Sequence, residues 1–389
     1  MQAYNVLAPG PVNLHPEVQK ALALPMIHHR TPEFDAILKR VLTRLKLIFE
    51  TEQPCFALTS TGSGGMEALL VNTLRPGDHV LGIDSGKFGE RWCEMAQVFG
   101  AKVTIHKVKW GEAVDLQDVQ KILDQHPDIK IVMCQACETS TGIKHPIQAL
   151  GALVKERAQT LFLVDGITAL GAFALPMDEW SIDGLVGGSQ KAFMLPTGLA
   201  MVSFSGKAWK VIENNPQPRY YFDLRRERQA NAKGETFFSS NVTLIRALDV
   251  VLEMILTRGL QAHFAEIAQR AEFTRLFGQK LGFRPFAKVP SESLTALLVP
   301  AGLDSQKLRL NLEEKHQITL MGGQDQAKGK ILRIGHMGHI TAEQMIQLML
   351  KLADVLKHEK PSLTLPDLIG LEKDMRSFWD ARKSERKSE

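Results

Sequence analysis

The sequence has few of the features that mark secreted, membrane-bound or nucleic-acid-binding proteins. Its 389 residues include only 4 cysteines, too few for a disulfide framework. No apolar run approaches the length of a membrane span. The formal net charge is only +4, from 47 basic and 43 acidic residues, which does not favour a nucleic acid as a partner. We therefore expect a globular protein of two or three domains that binds neither nucleic acid nor a membrane.

The two ends of the sequence also lack recognisable targeting signals. The first residues, Met1 to Asn5, have neither the basic nor the apolar region of a signal peptide. The last three, Lys387-Ser388-Glu389, do not form a peroxisomal signal. The default expectation is a cytoplasmic protein.

The cysteines and histidines do not form a recognisable metal site. Cys134 and Cys137 have the spacing of a redox pair, but they close the apolar run 129–133 instead of opening a helix. We interpret them as two thiols at a strand end, because no second ligand pair completes a zinc site. The pair His336 and His339 also lacks a clear third ligand. We therefore expect no metal.

Apolar runs alternate with helical patterns through the first two-thirds of the chain. The runs predict seven strands, at Cys55–Leu58, Val80–Ile83, Val103–Ile105, Ile129–Met133, Leu161–Val164, Gly184–Val186 and Ala200–Phe204. The patterns between them predict helices at Met66–Leu74, Glu90–Phe99, Leu116–Leu123 and Pro146–Arg157. This alternation favours an α/β fold whose mostly parallel seven-stranded sheet is covered by helices on both faces. Ligands bind such sheets at the carboxyl ends of strands.

The pattern changes after Pro218 to that of a smaller α+β domain. Two long helices are predicted at Leu244–Leu256 and His263–Leu281, followed by strands at Leu294–Val299, Ile318–Met321 and Ile331–Ile334 and helices at Ser305–Leu312 and Ala342–Leu356. We divide the chain into an N-terminal arm (1–20), a large domain (21–258), a small domain (259–360) and a C-terminal extension (361–389). In the extension we expect one amphipathic helix at Leu363–Trp379 and a disordered charged tail at Ala381–Glu389.

Two residues at predicted strand ends carry the strongest chemical signal. Asp165 ends the apolar run 160–164, and Lys191 follows a later run within Gly188-Ser189-Gln190-Lys191. A buried lysine has a depressed pKa and can form a Schiff base with an aldehyde, and a carboxylate can hold a proton on a pyridine nitrogen. This pairing is typical of a site for pyridoxal 5′-phosphate (PLP). The segment 59–65, rich in hydroxyl residues and glycine before a predicted helix, would suit the phosphate.

Seven segments carry a resemblance to a known family. They are 9–13, 28–34, 64–68, 86–92, 138–142, 188–192 and 328–338, and the resemblance as a whole runs from about residue 5 to about residue 356. With these segments the chain resembles the class V aminotransferases of PLP-dependent fold type I, in the alanine/serine–glyoxylate branch. The resemblance implies that the N-terminal arm joins the small domain, and that the protein is a homodimer with shared active sites.

The resemblance also implies roles for individual residues. Lys191 would be the catalytic residue that bonds to the cofactor, and Arg333 and Gly10 would bind the substrate. Cofactor contacts would come from Asp165, Thr61, Gly62, Ser63, Phe88, Thr139 and Gln190, and from Thr236 and Ser239 of the neighbouring subunit. In the family a Thr-Pro-aromatic-Thr-Pro segment stands where this chain has Phe237 and Ser240 in place of the prolines, so its loop should be less rigid. Glu138 is interpreted as structural.

The implied function is transfer of an amino group from alanine or serine to glyoxylate or pyruvate, with ping-pong kinetics. The alternatives are transamination of 2-aminoethylphosphonate or phosphoserine, and a catalytically silent scaffold subunit. A cysteine desulfurase is disfavoured because no cysteine follows Cys137, and a dinucleotide-dependent dehydrogenase because no glycine fingerprint follows the first strand. The sequence leaves open the preferred donor and acceptor, the role of the extension, assembly beyond a dimer, and any influence of Cys134 and Cys137 on substrate choice.

Overall fold

The computed structural model describes residues 4–388, and the side chains of residues 4–382. Its strands are β1 (Asn5–Val6), β2 (Cys55–Thr59), β3 (His79–Asp84), β4 (Lys102–Lys107), β5 (Ile129–Gln135), β6 (Cys137–Glu138), β7 (Ile143–Lys144), β8 (Leu161–Asp165), β9 (Gly184–Gly188), β10 (Leu199–Phe204), β11 (Arg284–Pro285), β12 (Leu294–Leu298), β13 (Ile318–Thr319), β14 (Met321–Gly322) and β15 (Ile331–Gly335).

The helices cover most of the remaining chain. They are α1 (Pro16–Leu22), α2 (Pro32–Phe49), α3 (Gly62–Thr73), α4 (Lys87–Val98), α5 (Leu116–Gln125), α6 (Ile147–Lys155), α7 (Gly206–Glu213), α8 (Leu224–Asn231), α9 (Val242–Arg258), α10 (Leu260–Lys280), α11 (Ser305–His316), α12 (Ala342–Glu359) and α13 (Leu368–Ser388). In the described part of the chain no helix is both long and apolar enough to cross a membrane.

The seven predicted strands form one sheet in the order β2-β10-β9-β8-β5-β3-β4. Only β10 runs antiparallel to its neighbours, so the prediction of a mostly parallel seven-stranded sheet is confirmed. Alternate residues of β8 belong to different cores. Phe162 and Val164 belong to the core that includes α2, α6 and α9, whereas Leu161 and Leu163 belong to the core that includes α3 and α7. Helices therefore cover both faces and leave the strand ends as the accessible edge.

A second, smaller sheet has the antiparallel order β11-β12-β15-β14 and packs against α10, α11 and α12. The strand predicted at Ile318–Met321 is wrong in one respect, because Leu320 divides it into two. β13 pairs in parallel with β1 of the N-terminal arm, whereas β14 pairs with β15. Leu7 of the arm is fully buried in the core of this sheet. Between α9 and α10 the chain turns at Gly259, where φ is 86°.

The C-terminal extension differs from the sequence prediction. Its helix begins at Leu368, because Pro366 disfavours a helical residue before it and Asp367 accepts a hydrogen bond from the N–H of Gly370 at 2.8 Å. The prediction of a disordered tail from Ala381 is wrong, since α13 continues through residue 388; residue 389 lies outside the described chain. Leu371 of α13 is buried in the small-domain core, which ties the extension to this domain.

Candidate active site

Eight of the predicted site residues meet in one cavity at the carboxyl edge of the large sheet. The cavity has a volume of about 130 Å³. It is lined by Thr61, Gly62, Ser63, Phe88, Thr139, Asp165, Gln190 and Lys191, together with Met66, Arg91, Ile167 and Thr168. The residues come from the ends of separate strands and the helices that follow them, as expected for a parallel sheet.

Lys191 is a buried amine at the centre of this arrangement. Burial, followed by the positive charge of Arg333, lowers the pKa of Lys191 to about 8. Its Nζ donates a hydrogen bond to the carbonyl oxygen of Pro9 at 2.9 Å. A Cβ on Gly10, the next residue, would lie 2.6 Å from both Cδ and Nζ of the lysine, so any larger residue there would displace the end of this side chain. The N-terminal arm therefore lies directly against this buried amine.

Asp165 is a buried carboxylate in the same cavity. Its Oδ1 accepts a hydrogen bond from the N–H of Ile167 at 2.9 Å. Burial raises the pKa of Asp165 to about 7, because the remaining contacts do not fully compensate for lost hydration. A protonated ring nitrogen beside this carboxylate would supply the missing positive charge, so the residue fits the pyridine end of PLP.

The other end of the cavity begins helix α3. Thr61 is the N-cap, and its Oγ1 accepts a hydrogen bond from the N–H of Gly64 at 3.4 Å. Nearby, the side-chain oxygen of Gln190 is buried and has no hydrogen-bond partner among the described residues. A helix N-terminus with small residues offers N–H donors that suit a phosphate group. The unpaired oxygen of Gln190 is an acceptor, so this residue would contact a phosphate through its NH2, with the amide turned over. At both ends, therefore, the residues present fit PLP.

Glu138 positions the aromatic residue of the cavity. Its fully buried carboxylate accepts hydrogen bonds from the N–H groups of Phe88 and Gly89, each at 3.0 Å. It also accepts from the N–H of Ser140 at 3.0 Å and from its hydroxyl at 2.6 Å. These four bonds fix the first turn of α4 and hence the ring of Phe88. The contacts agree with the structural interpretation of Glu138.

Arg333 lies beside the cavity and joins it to the small domain. Its Nη1 donates to the carbonyl oxygen of Thr139 at 3.1 Å, and its Nε donates to that of Gly322 at 2.9 Å. Burial lowers the pKa of Arg333 to about 10, so the guanidinium stays charged at neutral pH. The hydroxyl of Thr139 forms a 2.6 Å hydrogen bond with that of Thr168. A cation and a hydroxyl pair thus lie at the cavity that holds Lys191.

Thr236 and Ser239 are not brought to the cavity of their own chain. They line a separate surface pocket with Tyr221 and Phe238. The hydroxyl of Thr236 donates to the carbonyl oxygen of Phe238 at 2.7 Å, and Ser239 is exposed. Contact with a neighbouring subunit's cofactor therefore stays a prediction.

Sequence reasoning missed four residues that line the cavity: Met66, Arg91, Ile167 and Thr168. Helical spacing could have found Arg91, which lies three residues after Phe88 on α4 and holds its guanidinium carbon 5.1 Å from the centre of that ring. Ile167 follows Asp165 closely, and its side chain would lie 2.7 Å from a Cβ on Gly62. The absence of a side chain at Gly62 therefore lets α3 approach the cavity.

One group of potential metal ligands occurs in the described chain, away from this site. Ligand atoms of His79, His126 and Asp128 lie within 4.8 Å of one another. His79 begins β3 and therefore lies at the amino edge of the sheet. Its Nδ1 and Nε2 are already hydrogen-bonded to Asp128 and Thr104, each at 2.8 Å. These bonds account for the buried ring, and the expectation of no metal stays a prediction.

The family follows from comparison with known proteins. The model of the aminotransferase class-V family matches residues 16–347. The chain belongs to this family. The Aminotransferase class-V match spans both sheets and includes all predicted site residues except Gly10 of the N-terminal arm.

Several curated relatives are similar to this class-V aminotransferase over most of their length. The "Soluble hydrogenase 42 kDa subunit" of Anabaena cylindrica is 36% identical over 90% of this chain and 92% of its own. The "L-aspartate--glyoxylate aminotransferase" of Paracoccus denitrificans is 37% identical over 86% and 87%. The "Serine--glyoxylate aminotransferase" of Methylorubrum extorquens is 31% identical over 87% of each chain.

Solved structures agree with the fold. The ureidoglycine–glyoxylate aminotransferase of Bacillus subtilis has a TM-score of 0.92 and 26% identity, over 97% of this chain and 99% of its own. The alanine–glyoxylate aminotransferase of Nostoc sp. has a TM-score of 0.88 and 29% identity, over 92% and 96%. These neighbours confirm the fold expected of a PLP-dependent aminotransferase of fold type I.

Proposed function

We propose that this aminotransferase uses PLP to transfer an amino group from alanine or serine to glyoxylate or pyruvate. The observation that carries the proposal is the buried amine of Lys191, which has a pKa of about 8 and shares a cavity with the buried carboxylate of Asp165. Each group makes one hydrogen bond to the backbone, and a partner of complementary charge and shape would compensate for the rest of its lost hydration. Three similar proteins are named for different amino donors, aspartate, serine and alanine, but all three names give glyoxylate as the acceptor. This shared acceptor favours glyoxylate here as well.

The cofactor would be held at its two ends by different residues. Asp165 would hold a proton on the ring nitrogen, and Thr61, Gly62, Ser63 and Gln190 would contact the phosphate. When bound, PLP supplies an aldehyde that condenses with amines and a ring that withdraws electrons from the substrate Cα. Phe88, fixed by Glu138, would limit the tilt of the ring.

Lys191 would act as both the anchoring amine and the acid–base group. With a pKa of about 8, a usable fraction of its amine is unprotonated at neutral pH. An amine of this kind can accept the proton from the substrate Cα and later return one. The carbonyl of Pro9, 2.9 Å from Nζ, would keep the amine oriented between these steps.

Arg333 would bind the carboxylate that amino and 2-oxo acids share. A guanidinium can donate two parallel hydrogen bonds to a carboxylate, which a lysine cannot reproduce. The backbone contacts to Thr139 and Gly322 hold the group in place before substrate binds. Because donor and acceptor have the same carboxylate, one arginine serves both halves of a ping-pong reaction.

The proposal includes a homodimer in the cytoplasm. Leu24, Met26, Tyr220 and Tyr221 are each about half exposed or more, and the two tyrosines flank the pocket formed by Thr236 and Ser239. Burying such side chains against a second copy would remove apolar surface from water and could carry this loop to the neighbour's phosphate. The four cysteines are free thiols, which suits a reducing compartment.

Two other functions remain as competitors. A phosphonate or phosphoserine donor would need further cations, and Arg91 is the cavity-lining arginine that could serve. One relative is named as a subunit of a soluble hydrogenase, and a non-catalytic partner subunit is the second competitor. The buried Lys191–Asp165 pair is costly to maintain in a protein without chemistry, which favours the enzyme.

The test begins with the visible spectrum of the purified protein in the presence of PLP. A band near 410–430 nm, roughly where protein-bound PLP absorbs, should fall on addition of L-alanine, L-serine or L-aspartate, and return with glyoxylate. The donor that acts fastest names the substrate. Lys191→Ala should abolish the band and Lys130→Ala, an exposed lysine on β5, should preserve it. A wild-type protein that stays colourless would overturn the proposal and favour the scaffold role.

A further inference from the structure

The turn that carries Phe88 into the cavity has no side-chain cap of its own. Ser85 and Gly86 connect the end of β3 to α4, and Phe88 lies in the first turn of that helix. The N-cap is Gly86, which has no side chain to accept hydrogen bonds from the first N–H groups of α4. A Cβ at Gly86 would also lie 2.3 Å from Oγ of Ser140, so a larger residue there would displace this neighbour. The position of Phe88 therefore depends on contacts from elsewhere in the chain.

Those contacts come from the hairpin of β6 and β7 and the residue that follows it, together residues 137–145. Glu138 accepts hydrogen bonds from two N–H groups in the first turn of α4. Oγ of Ser140 accepts a third, from the N–H of Lys87 at 3.1 Å. His145 directly follows β7, and its own N–H continues the pairing across the hairpin with a 3.1 Å hydrogen bond. The hairpin thus places a third side chain, that of His145, near the same turn.

The ring of His145 is hydrogen-bonded through both nitrogens. Nδ1 accepts from the N–H of Val114 at 3.2 Å. A backbone N–H can only donate, so Nδ1 carries no hydrogen and Nε2 carries the one hydrogen of the neutral ring. Nε2 lies 2.8 Å from Oγ of Ser85 and therefore donates to this hydroxyl. Burial lowers the pKa of His145 to about 4, so the ring is neutral at pH 7 and keeps this single tautomer.

The bond between His145 and Ser85 is enclosed and rigid. Ser85 is fully buried, and only 3% of His145 is exposed. Pro146 restricts the backbone of the histidine, and the carbonyl oxygen of His145 accepts from the N–H of Ile147 at 2.9 Å. The ring cannot rotate without breaking the bonds at both nitrogens. If the hydroxyl of Ser85 were removed, a buried N–H would be left unpaired.

We propose that His145 is a positioning residue, which acts through Ser85 to hold the turn that places Phe88 against the PLP ring. The inference rests on the proposed function for its cofactor. Glu138 holds the turn at its helical end, whereas His145 holds it at the end of β3. Between these two anchors lies Gly86, which restricts the backbone less than any other residue. Fixing Ser85 therefore removes a freedom that Glu138 alone would leave.

A matched control lies at the other end of the same strand. His79 begins β3, is also buried, and has both ring nitrogens hydrogen-bonded, with Nε2 lying 2.8 Å from Oγ1 of Thr104. Ser85→Ala and Thr104→Val would each remove the hydroxyl that pairs with Nε2 of a buried histidine. Both variants should lose stability for the same reason. Only Ser85→Ala should alter the turn that carries Phe88, because His79 lies at the opposite edge of the sheet.

The first measurement is amide hydrogen exchange of the cofactor-free protein over residues 85–89. Ser85→Ala should speed exchange in this segment by about tenfold, and Thr104→Val should leave it unchanged. His145→Phe, which has no ring nitrogen, should match Ser85→Ala. His145→Gln keeps an N–H donor at the end of its side chain and should keep exchange slow. Equal exchange over residues 85–89 in Ser85→Ala and Thr104→Val would overturn the inference.

The second measurement uses the PLP-loaded protein. The circular dichroism of the visible PLP band depends on how the ring is oriented in the cavity, so Ser85→Ala should change its intensity relative to the absorbance. The affinity for PLP should fall by about three- to tenfold through partial loss of the aromatic stack. Thr104→Val should match the wild type in both.

The two measurements separate failure of this inference from failure of the proposed function. A wild-type protein that takes up no PLP would overturn the proposed function, and the exchange pattern would still decide whether His145 holds the turn. If the wild type binds PLP, and Ser85→Ala has unchanged dichroism and unchanged affinity, the positioning role of His145 would be overturned.

Discussion

Substitution of Gly10 by alanine should have two distinct effects, one on the position of the Lys191 amine and one on the stability of the fold. Gly10 has φ of 135°, and a Cβ there would lie 2.6 Å from Cδ and Nζ of Lys191. Carbon–carbon contacts are normally about 3.5–4.0 Å. Because the far end of a lysine is flexible, the side chain and not the backbone should move, by about 1 Å. That shift breaks the hydrogen bond from Nζ to Pro9.

Two effects with different magnitudes are therefore expected. The positive φ should cost about 1–3 kcal/mol of unfolding free energy for any residue with a Cβ. A displacement of about 1 Å at a reacting group can lower the rate about 100-fold. Gly77 provides the matched control, because it also has a positive φ, 87°, but a Cβ there would meet no atom within 4 Å. Gly77→Ala should thus show the stability loss without the rate loss.

The assay pairs urea unfolding with steady-state turnover of L-serine and glyoxylate, or of whichever donor proves active. Both variants should lose similar unfolding free energy, and only Gly10→Ala should lose about 100-fold in turnover. If Gly10→Ala turns over within about threefold of Gly77→Ala, the close approach of the arm to Lys191 does not position the amine. The reasoning from the 2.6 Å contact would then be refuted.

Four further outcomes are expected. Arg333→Lys should lower kcat/KM for donor and acceptor alike by about 10- to 100-fold, measured in both half-reactions, because lysine cannot form two parallel bonds. Thr139→Val and Thr168→Val should each lower the free energy of unfolding by about 1–3 kcal/mol, because each leaves the other hydroxyl unpaired. In denaturant unfolding, the double variant should lose less free energy than the sum of the two single losses. The rate at which the cofactor-free protein takes up PLP, measured by absorbance, should increase with pH and reach half its maximum near pH 8. The reason is that the pKa of Lys191 is lowered to about 8 and only the unprotonated amine attacks the aldehyde. A midpoint above pH 10 would contradict this expectation. Met375→Ala should lower the free energy of unfolding by about 2–5 kcal/mol, because Met375 is fully buried between α13 and the small domain, whereas the exposed Lys373→Ala should not.

The large sheet could be predicted because its inner strands are buried on both faces and appear as continuous apolar runs, whereas the edge strand β4 is partly exposed. β8 was predicted at Leu161–Val164 and extends only to Asp165. The position of the cavity could also be predicted, because the carboxyl ends of parallel strands lie at one edge of the sheet. The extension could not be predicted equally well. Its helix depends on the cap at Asp367 and on burial of Leu371 in a core formed far away in the sequence.

Contacts that depend on tertiary structure also escaped sequence reasoning. The four hydrogen bonds of Glu138 join a strand end to the first turn of α4, and no local pattern marks them. The pairing of Thr139 with Thr168 joins two loops in the same way. Ser85 and His145 lie 60 residues apart, so only the folded chain shows that they are hydrogen-bonded.

The contact between Thr139 and Arg333 explains why the two domains must be positioned together for the site to work. Arg333 belongs to the small sheet, yet one of its N–H groups donates to a carbonyl of the large domain at Thr139. A second donates to Gly322, so among the described contacts three of its five N–H groups remain for a carboxylate. Because the guanidinium is already held, binding a substrate costs little additional side-chain entropy. A shift of the small domain would move Arg333 relative to Lys191, so in the proposed mechanism carboxylate binding and proton transfer would both depend on a single domain arrangement.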